Sequence, residues 1–160
     1  MKRKLLGILL LGFASGLPYM LVFSTLTAWL RDVGISLTEI GFFAWLVLTY
    51  SLKFLWAPFV DRYSIPGFVV FGKRRGWILF SQLIIFLSLI GMSFIDPLKN
   101  IQLLALFAFF AAFFGSMQDV AVDALRLEIG DAKEQGDLAA SYQLGYRVAI
   151  LVATSMALIF

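Results

Sequence analysis

Residues 101–126 read IQLLALFAFFAAFFGSMQDVAVDALR. From Ile101 to Met117 only Gln102 and Ser116 carry a polar side chain. As a helix rising ~1.5 Å per residue, this run is about 39 Å long, more than the ~30 Å hydrocarbon core of a bilayer. It lacks the strict polar–apolar alternation of a barrel strand, so a helix is the spanning structure left to it. Yet its last third holds two acids, Asp119 and Asp123, and a base, Arg126.

Four more apolar runs surround it, at residues 5–30, 40–60, 77–95 and 138–160. Each is long enough to cross a membrane. Hydrophilic breaks at residues 31–39, 61–76, 96–100 and 127–137 separate them. Pro97 and the Ser36/Thr38 pair are residue types that start helices. The pattern predicts an all-α membrane protein with five transmembrane helices.

Composition agrees. The chain is 61% hydrophobic and 14% charged, with 17 phenylalanines, and its mean hydropathy is +0.92. A soluble domain is ~45–50% apolar and ~25% charged, and a chain of this length has too little interior to hide the excess. There is no cysteine and no histidine. Disulfides, thiol chemistry, Cys/His zinc sites and histidine acid–base catalysis are therefore excluded. No metal ligand set, cofactor motif or phosphate loop is visible, and an enzyme is not expected.

The N-terminal Met-Lys-Arg-Lys, an apolar run and Ala14-Ser15-Gly16 share features with a secretory signal. The apolar character continues to Trp29, so an uncleaved first helix is the expectation. With the N-terminus cytoplasmic, inside segments carry Lys2, Arg3, Lys4, Arg62, Lys73, Arg74, Arg75, Arg126 and Lys133, against Arg31 and Lys99 outside. That is a positive-inside pattern. It accounts for the basic pI of about 9.3 without nucleic acid.

Two basic residues lie within spans, Lys53 and Arg147, as do Asp119 and, nearer the surface, Asp123. A charge at the centre of a spanning helix costs ~2.5–3.5 kcal/mol on insertion scales. Counted from the near end of each run, Lys53, Asp119 and Arg147 lie at similar depth, about 10–13 Å in. Asp119 and Asp123 are four apart and share a helix face. Two acids and two bases at one level suggest mutual neutralisation. A structural ion-pair network, a proton-exchanging carboxylate and direct substrate contact remain alternative roles. Arg147, with its planar fork, suits a carboxylate substrate. In the first run, Gly12 and Gly16 offer a close helix contact, and Pro18 permits a bend.

Asp61-Arg62 followed by Gly72-Lys73-Arg74-Arg75-Gly76, between the second and third runs, resembles the cytoplasmic signature of the major facilitator superfamily. It departs in the residues 63–71 that intervene. The resemblance implies that Asp61, Arg62, Lys73, Arg74 and Arg75 form a conformational latch loop. A closer resemblance, to the AmpG-type muropeptide permeases, is carried by Leu11-Gly12-Phe13-Ala14-Ser15-Gly16-Leu17-Pro18, Ile40-Gly41-Phe42-Phe43, Lys53-Phe54-Leu55-Trp56-Ala57-Pro58, Asp61-Arg62-Tyr63, Arg74-Arg75-Gly76-Trp77, Gln118-Asp119, Asp123-Ala124 and Leu144-Gly145-Tyr146-Arg147.

That resemblance implies a bacterial inner-membrane permease importing anhydro-muropeptides by proton symport for peptidoglycan recycling. It places Asp119, Asp123, Arg147 and Lys53 at substrate or proton coupling. The family has about twelve or more helices, so residues 1–160 are expected to be its N-terminal bundle, without a sixth helix and without the C-terminal half. A carrier for another polar solute, such as acetyl-CoA, and a truncated non-transporting remnant are the alternatives.

Overall fold

The computed structural model describes residues 1–159, with side chains to residue 155, and among these it is helical with no strand. The first span, Lys2–Asp32, is one continuous rod. It begins before the apolar run because Lys2, Arg3 and Lys4 are themselves good helix formers. Pro18 is buried inside it, and a π turn, Leu21–Thr25, follows directly. Proline removes a backbone donor, and a widened turn keeps the rod continuous beyond it.

The second span opens at Ser36, whose hydroxyl accepts from the Glu39 amide while the Glu39 side chain reaches back in a capping box. It is a broken span, Leu37–Ser51 followed by Lys53–Arg62, bent by 42°. Leu52 (φ −91°, ψ 10°) and Trp56 (φ −100°, ψ −6°) leave α-helical geometry. Pro58 sits in the first turn of the last segment, where its missing N–H costs no helical bond. The third span is Lys73–Ser93 and the fourth Ile101–Ile129. The fourth is capped by Asn100, whose side chain accepts from the Leu103 amide; Pro97 lies in the turn before it.

Among the described residues, three helices are each apolar and long enough to cross a membrane, and the bent pair makes a fourth. The fifth helix, Gln135–Ile159, has 25 residues and hence the length. Gln135, Asp137, Gln143 and Arg147 dilute the apolar character of its first half. Residue 160, the end of the run read from sequence, lies outside the described residues.

The fourth helix is the hub, touching the other four spans. Small residues on its buried face, Ala108, Ala111, Ala112, Gly115 and Ser116, allow that approach. At one end Val22, Leu26, Leu30 and Phe43 pack on Leu104 and Ala108; at the other Val60, Trp77 and Ile78 pack on Met117, Ala121 and Val122. The first and fifth helices form the closest pair. A Cβ added at Gly12 would overlap the Tyr142 carbonyl, and one at Gly145 the Leu9 carbonyl. Large side chains such as Leu6, Phe42, Trp45, Phe54 and Phe86 face outward, which is the arrangement lipid requires and water penalises. The protein is a multi-pass membrane protein.

Candidate functional site: a buried carboxylate among tyrosines

Asp119 lies on the buried face of the fourth helix and is 8% exposed. The Tyr142 hydroxyl, from the fifth helix, donates to its Oδ1 at 3.2 Å. No cation lies within 4 Å of it among the described ion pairs. One residue back, the Gln118 amide donates to the Ser15 hydroxyl of the first helix at 3.1 Å. One turn back, the Trp56 indole donates to Ser116 at 3.1 Å. Polar side chains from the first, second and fifth helices thus converge on one stretch of the fourth.

Tyrosines extend this polar centre. Tyr19 stacks edge-on against Tyr50 with ring centroids 5.1 Å apart. Tyr146 lies 6.2 Å from Tyr19 and 6.1 Å from Tyr142. The Tyr50 hydroxyl is buried without a hydrogen-bond partner, over Gly115, where a Cβ would strike it. Four phenols from three helices therefore form a chain of ring contacts, Tyr50–Tyr19–Tyr146–Tyr142, that reaches the buried acid through Tyr142. The sequence does not mark them as a group; its one usable signal is that Tyr142 and Tyr146 are four apart, on one helix face.

The charges do not join in the way their depths suggest. Lys53 Nζ lies 3.8 Å from Asp123 Oδ2, and the Arg126 guanidinium lies 3.5 Å from Asp123 Oδ1. Asp123 thus holds both nearby cations, while Asp119 holds a neutral phenol. The cause lies in the break of the second span: Lys53 sits in the tight turn Lys53–Leu55, and its long stem carries the ammonium toward the membrane edge. Arg147 is exposed and makes no ion pair among the described residues. It follows Tyr146, and one residue turns a helix by about 100°, so it leaves the tyrosine face. A four-charge neutralising network is not formed.

At the end of the bundle, Arg74 ties three helices. Its guanidinium donates to Asp61 at 2.6 Å, to Glu128 at 2.7 Å and to the Val60 carbonyl at 3.3 Å. The intervening residues 63–71 do not prevent this. The turn Val69–Phe71 and Gly72, at φ 87° where a side chain would be strained, return the chain so that the third helix starts beside Asp61. Trp77 secures the loop by donating to the Tyr63 carbonyl at 2.9 Å. Arg62, Lys73 and Arg75 make no ion pair among the described residues. Glu128 was not singled out in the sequence; it reads there as an ordinary helix-end acid. At the same end Lys4 meets Glu134 at 2.8 Å. That hydrogen bond holds the Glu134 carboxyl below the ordinary glutamate range. No cluster of three or more potential metal ligands exists among the described residues.

Comparison with known proteins gives this arrangement a context. The family model described as Major Facilitator Superfamily matches residues 8–160. The anhydromuropeptide permease of Escherichia coli K12 is 41% identical over 151 residues, covering 94% of this chain and 30% of that protein. A protein named putative transporter AmpG 4 in Rickettsia felis is 37% identical over 155 residues, covering 97% of this chain and 37% of its own length. An uncharacterized protein of Haemophilus influenzae is 39% identical over 156 residues, covering 98% of this chain and 36% of its own length. The chain therefore spans about a third of the length of these curated relatives. A family model that covers nearly the whole chain, on a helical bundle with a buried polar centre, places it: the chain belongs to the major facilitator superfamily.

Proposed function

We propose that this bundle is the N-terminal part of an inner-membrane permease that imports anhydro-muropeptides by proton symport, with its N-terminus in the cytoplasm. The observation that carries the reading is the likeness, over 94% of the chain, to a protein named anhydromuropeptide permease. The placement of Asp119 supports the coupling. A carboxylate enclosed by helices, hydrogen-bonded to a phenol and with no cation in contact is the kind of intramembrane group that proton-coupled carriers use. Asp123, flanked by Lys53 and Arg126, is the structural member of the pair.

In this reading the tyrosines offer flat apolar faces to a sugar ring and hydroxyls to its substituents, the composition of a selective small-molecule site. Arg147 lies one residue round from the tyrosine face, so its fork, which suits a peptide carboxylate, serves a substrate that extends beyond the tyrosines. Arg74, with Asp61 and Glu128, is the latch at the cytoplasmic end. A second helical bundle, for which the relatives have the length, would face the first across the site, as transport between repeats requires. Orientation rests on the excess of Lys and Arg at the end that holds Lys4, Arg74 and Arg126.

The test is uptake of radiolabelled anhydro-disaccharide peptide into vesicles containing the full reading frame. Accumulation that needs an inward proton gradient is expected. Accumulation indifferent to the gradient, or uptake of acetyl-CoA in its place, would overturn the reading.

A further inference from the structure

Gly115, Gln118 and Asp119 lie within about one turn of the fourth helix, at spacings that put them on a common face. Over Gly115 stands the Tyr50 hydroxyl; a Cβ there would strike it. Two edge-on contacts hold the phenol, from Tyr19 at 5.1 Å and from Phe23 at 5.6 Å between ring centroids. The hydroxyl is buried and meets no hydrogen-bond partner among the described residues. The Gln118 side chain is fully buried. Its Nε2 donates to Ser15, while its Oε1 is likewise buried without a partner. Ser15, which meets Gln118, and Tyr19, which meets Tyr50, are successive residues of one face of the first helix. The phenol and the amide therefore stand at neighbouring levels of the bundle. A buried donor and a buried acceptor thus lie beside one turn that also holds Asp119, and they do not reach each other. Both atoms are enclosed by helices of this chain, so further chain adds walls outside them and cannot supply their partner.

From this juxtaposition we propose that one buried water bridges the Tyr50 hydroxyl, the Gln118 carbonyl oxygen and the Asp119 carboxyl, and that Tyr50 is the positioning residue that fixes it. Neighbours on one helix face are ~5–6 Å apart, and two hydrogen bonds through one water, at ~2.8 Å each, span the same distance. The phenol donates to the water, and the water donates to Gln118 and Asp119. Three bonds to otherwise unpaired groups is the usual complement of a water inside a protein. Asp119 has the capacity, since a carboxylate accepts several bonds and Tyr142 supplies one. The water would donate to the ionised carboxyl and accept from the protonated one, keeping its bond to Gln118 in both cases. No side chain has to move. The place of the water is independent of which solute is carried; its use rests on the reading of Asp119 as the acid that exchanges a proton.

The experiment is a crystal structure of the full reading frame, grown from lipid at a resolution that shows ordered water, together with thermal unfolding of variants. Density for one water within hydrogen-bond distance of the Tyr50 hydroxyl and the Gln118 amide is expected. Tyr50→Phe should lower the unfolding midpoint, because the water leaves and Gln118 is orphaned. Gln118→Leu should lower it too, by orphaning the phenol. The double variant should fall no further than the worse single one, because both changes remove the same water. Absence of that density, or a direct hydrogen bond between Tyr50 and Gln118, would overturn the proposal. So would a midpoint raised by Tyr50→Phe, the result expected of a phenol that has no partner to lose, or losses that add in the double variant. None of these readings needs solute or a gradient. A missing water with gradient-driven uptake intact removes the water alone; a water in place with uptake indifferent to the gradient supports its position and removes the proton reading.

Discussion

Tyr142 on the fifth helix donates its hydroxyl hydrogen to Asp119 on the fourth at 3.2 Å, while Asp123, one turn on, takes Lys53 at 3.8 Å and Arg126 at 3.5 Å. The two acids share a helix face and have different partners. Asp123 is paired with two cations, whereas Asp119 is held by a neutral donor; in the proposed reading the first is structural and the second exchanges the proton.

That division gives opposite expectations for the two positions. Asp123→Asn leaves Lys53 and Arg126 facing each other without their shared acid, so its main effect should be on stability. A downward shift in the thermal unfolding midpoint of the purified protein should exceed that of Asp119→Asn. Equal shifts would mean that the ion pairs to Asp123 contribute nothing.

Close packing of the first and fifth helices depends on the absence of side chains. Gly12→Ala should cost about 1–3 kcal/mol, the usual penalty for forcing a carbon into a filled space. Gly7→Ala should be neutral or stabilising, because alanine favours the helix and the space there is open. Denaturant unfolding in detergent reads both. Similar losses at the two glycines would contradict the close crossing.

Arg74 holds Asp61 and Glu128 with different nitrogens of one rigid fork. Lysine brings a single point of charge to the same place. Arg74→Lys should therefore lose one of the two bridges. The cost is on the order of 1 kcal/mol, because both acids are about half exposed. The larger effect should be on exchange between conformations, read as altered protease access to the loop of residues 63–72. Retention of parental access in Arg74→Lys would show that one bridge suffices.

The Lys4–Glu134 contact should depend on pH. Glu134 is held below its ordinary value of 4.5 by the Lys4 hydrogen bond. A carboxyl depressed on folding contributes stability that is complete above the ordinary value and disappears as pH falls through the lower, folded one. The distance between spin labels at positions 1 and 133 should hold constant from pH 7 to about the ordinary carboxylate range and lengthen only in more acid solution. Glu134→Gln should show the long distance at every pH. A distance that changes near neutrality would point to another group.

Much of the architecture is legible in the sequence because lipid imposes one simple rule. Runs such as 101–126 have to be helices of a certain length, and Gly12 and Gly16 mark where two of them meet. Helix ends were less legible, since Lys2–Lys4 and Leu127–Ile129 are polar or interfacial yet continue the backbone ladder. The site was half legible. Charge within a span identifies Asp119, Asp123 and Lys53, but depth alone does not give the azimuth around each helix. The break at Leu52–Trp56 sends Lys53 to Asp123, and one residue of rotation separates Arg147 from Tyr146. The tyrosines were hidden for a related reason: a phenol in an apolar run looks like an ordinary aromatic until its neighbours across helices are known.

Counterflow and accumulation compared in Asp119→Asn test the central role of this residue most directly. In vesicles carrying the full reading frame, this variant, fixed in a neutral form, should still exchange internal for external anhydro-muropeptide and should fail to accumulate it when a proton gradient is applied. Gradient-driven accumulation at the parental level in Asp119→Asn would contradict the assignment of the coupled proton to this buried carboxylate.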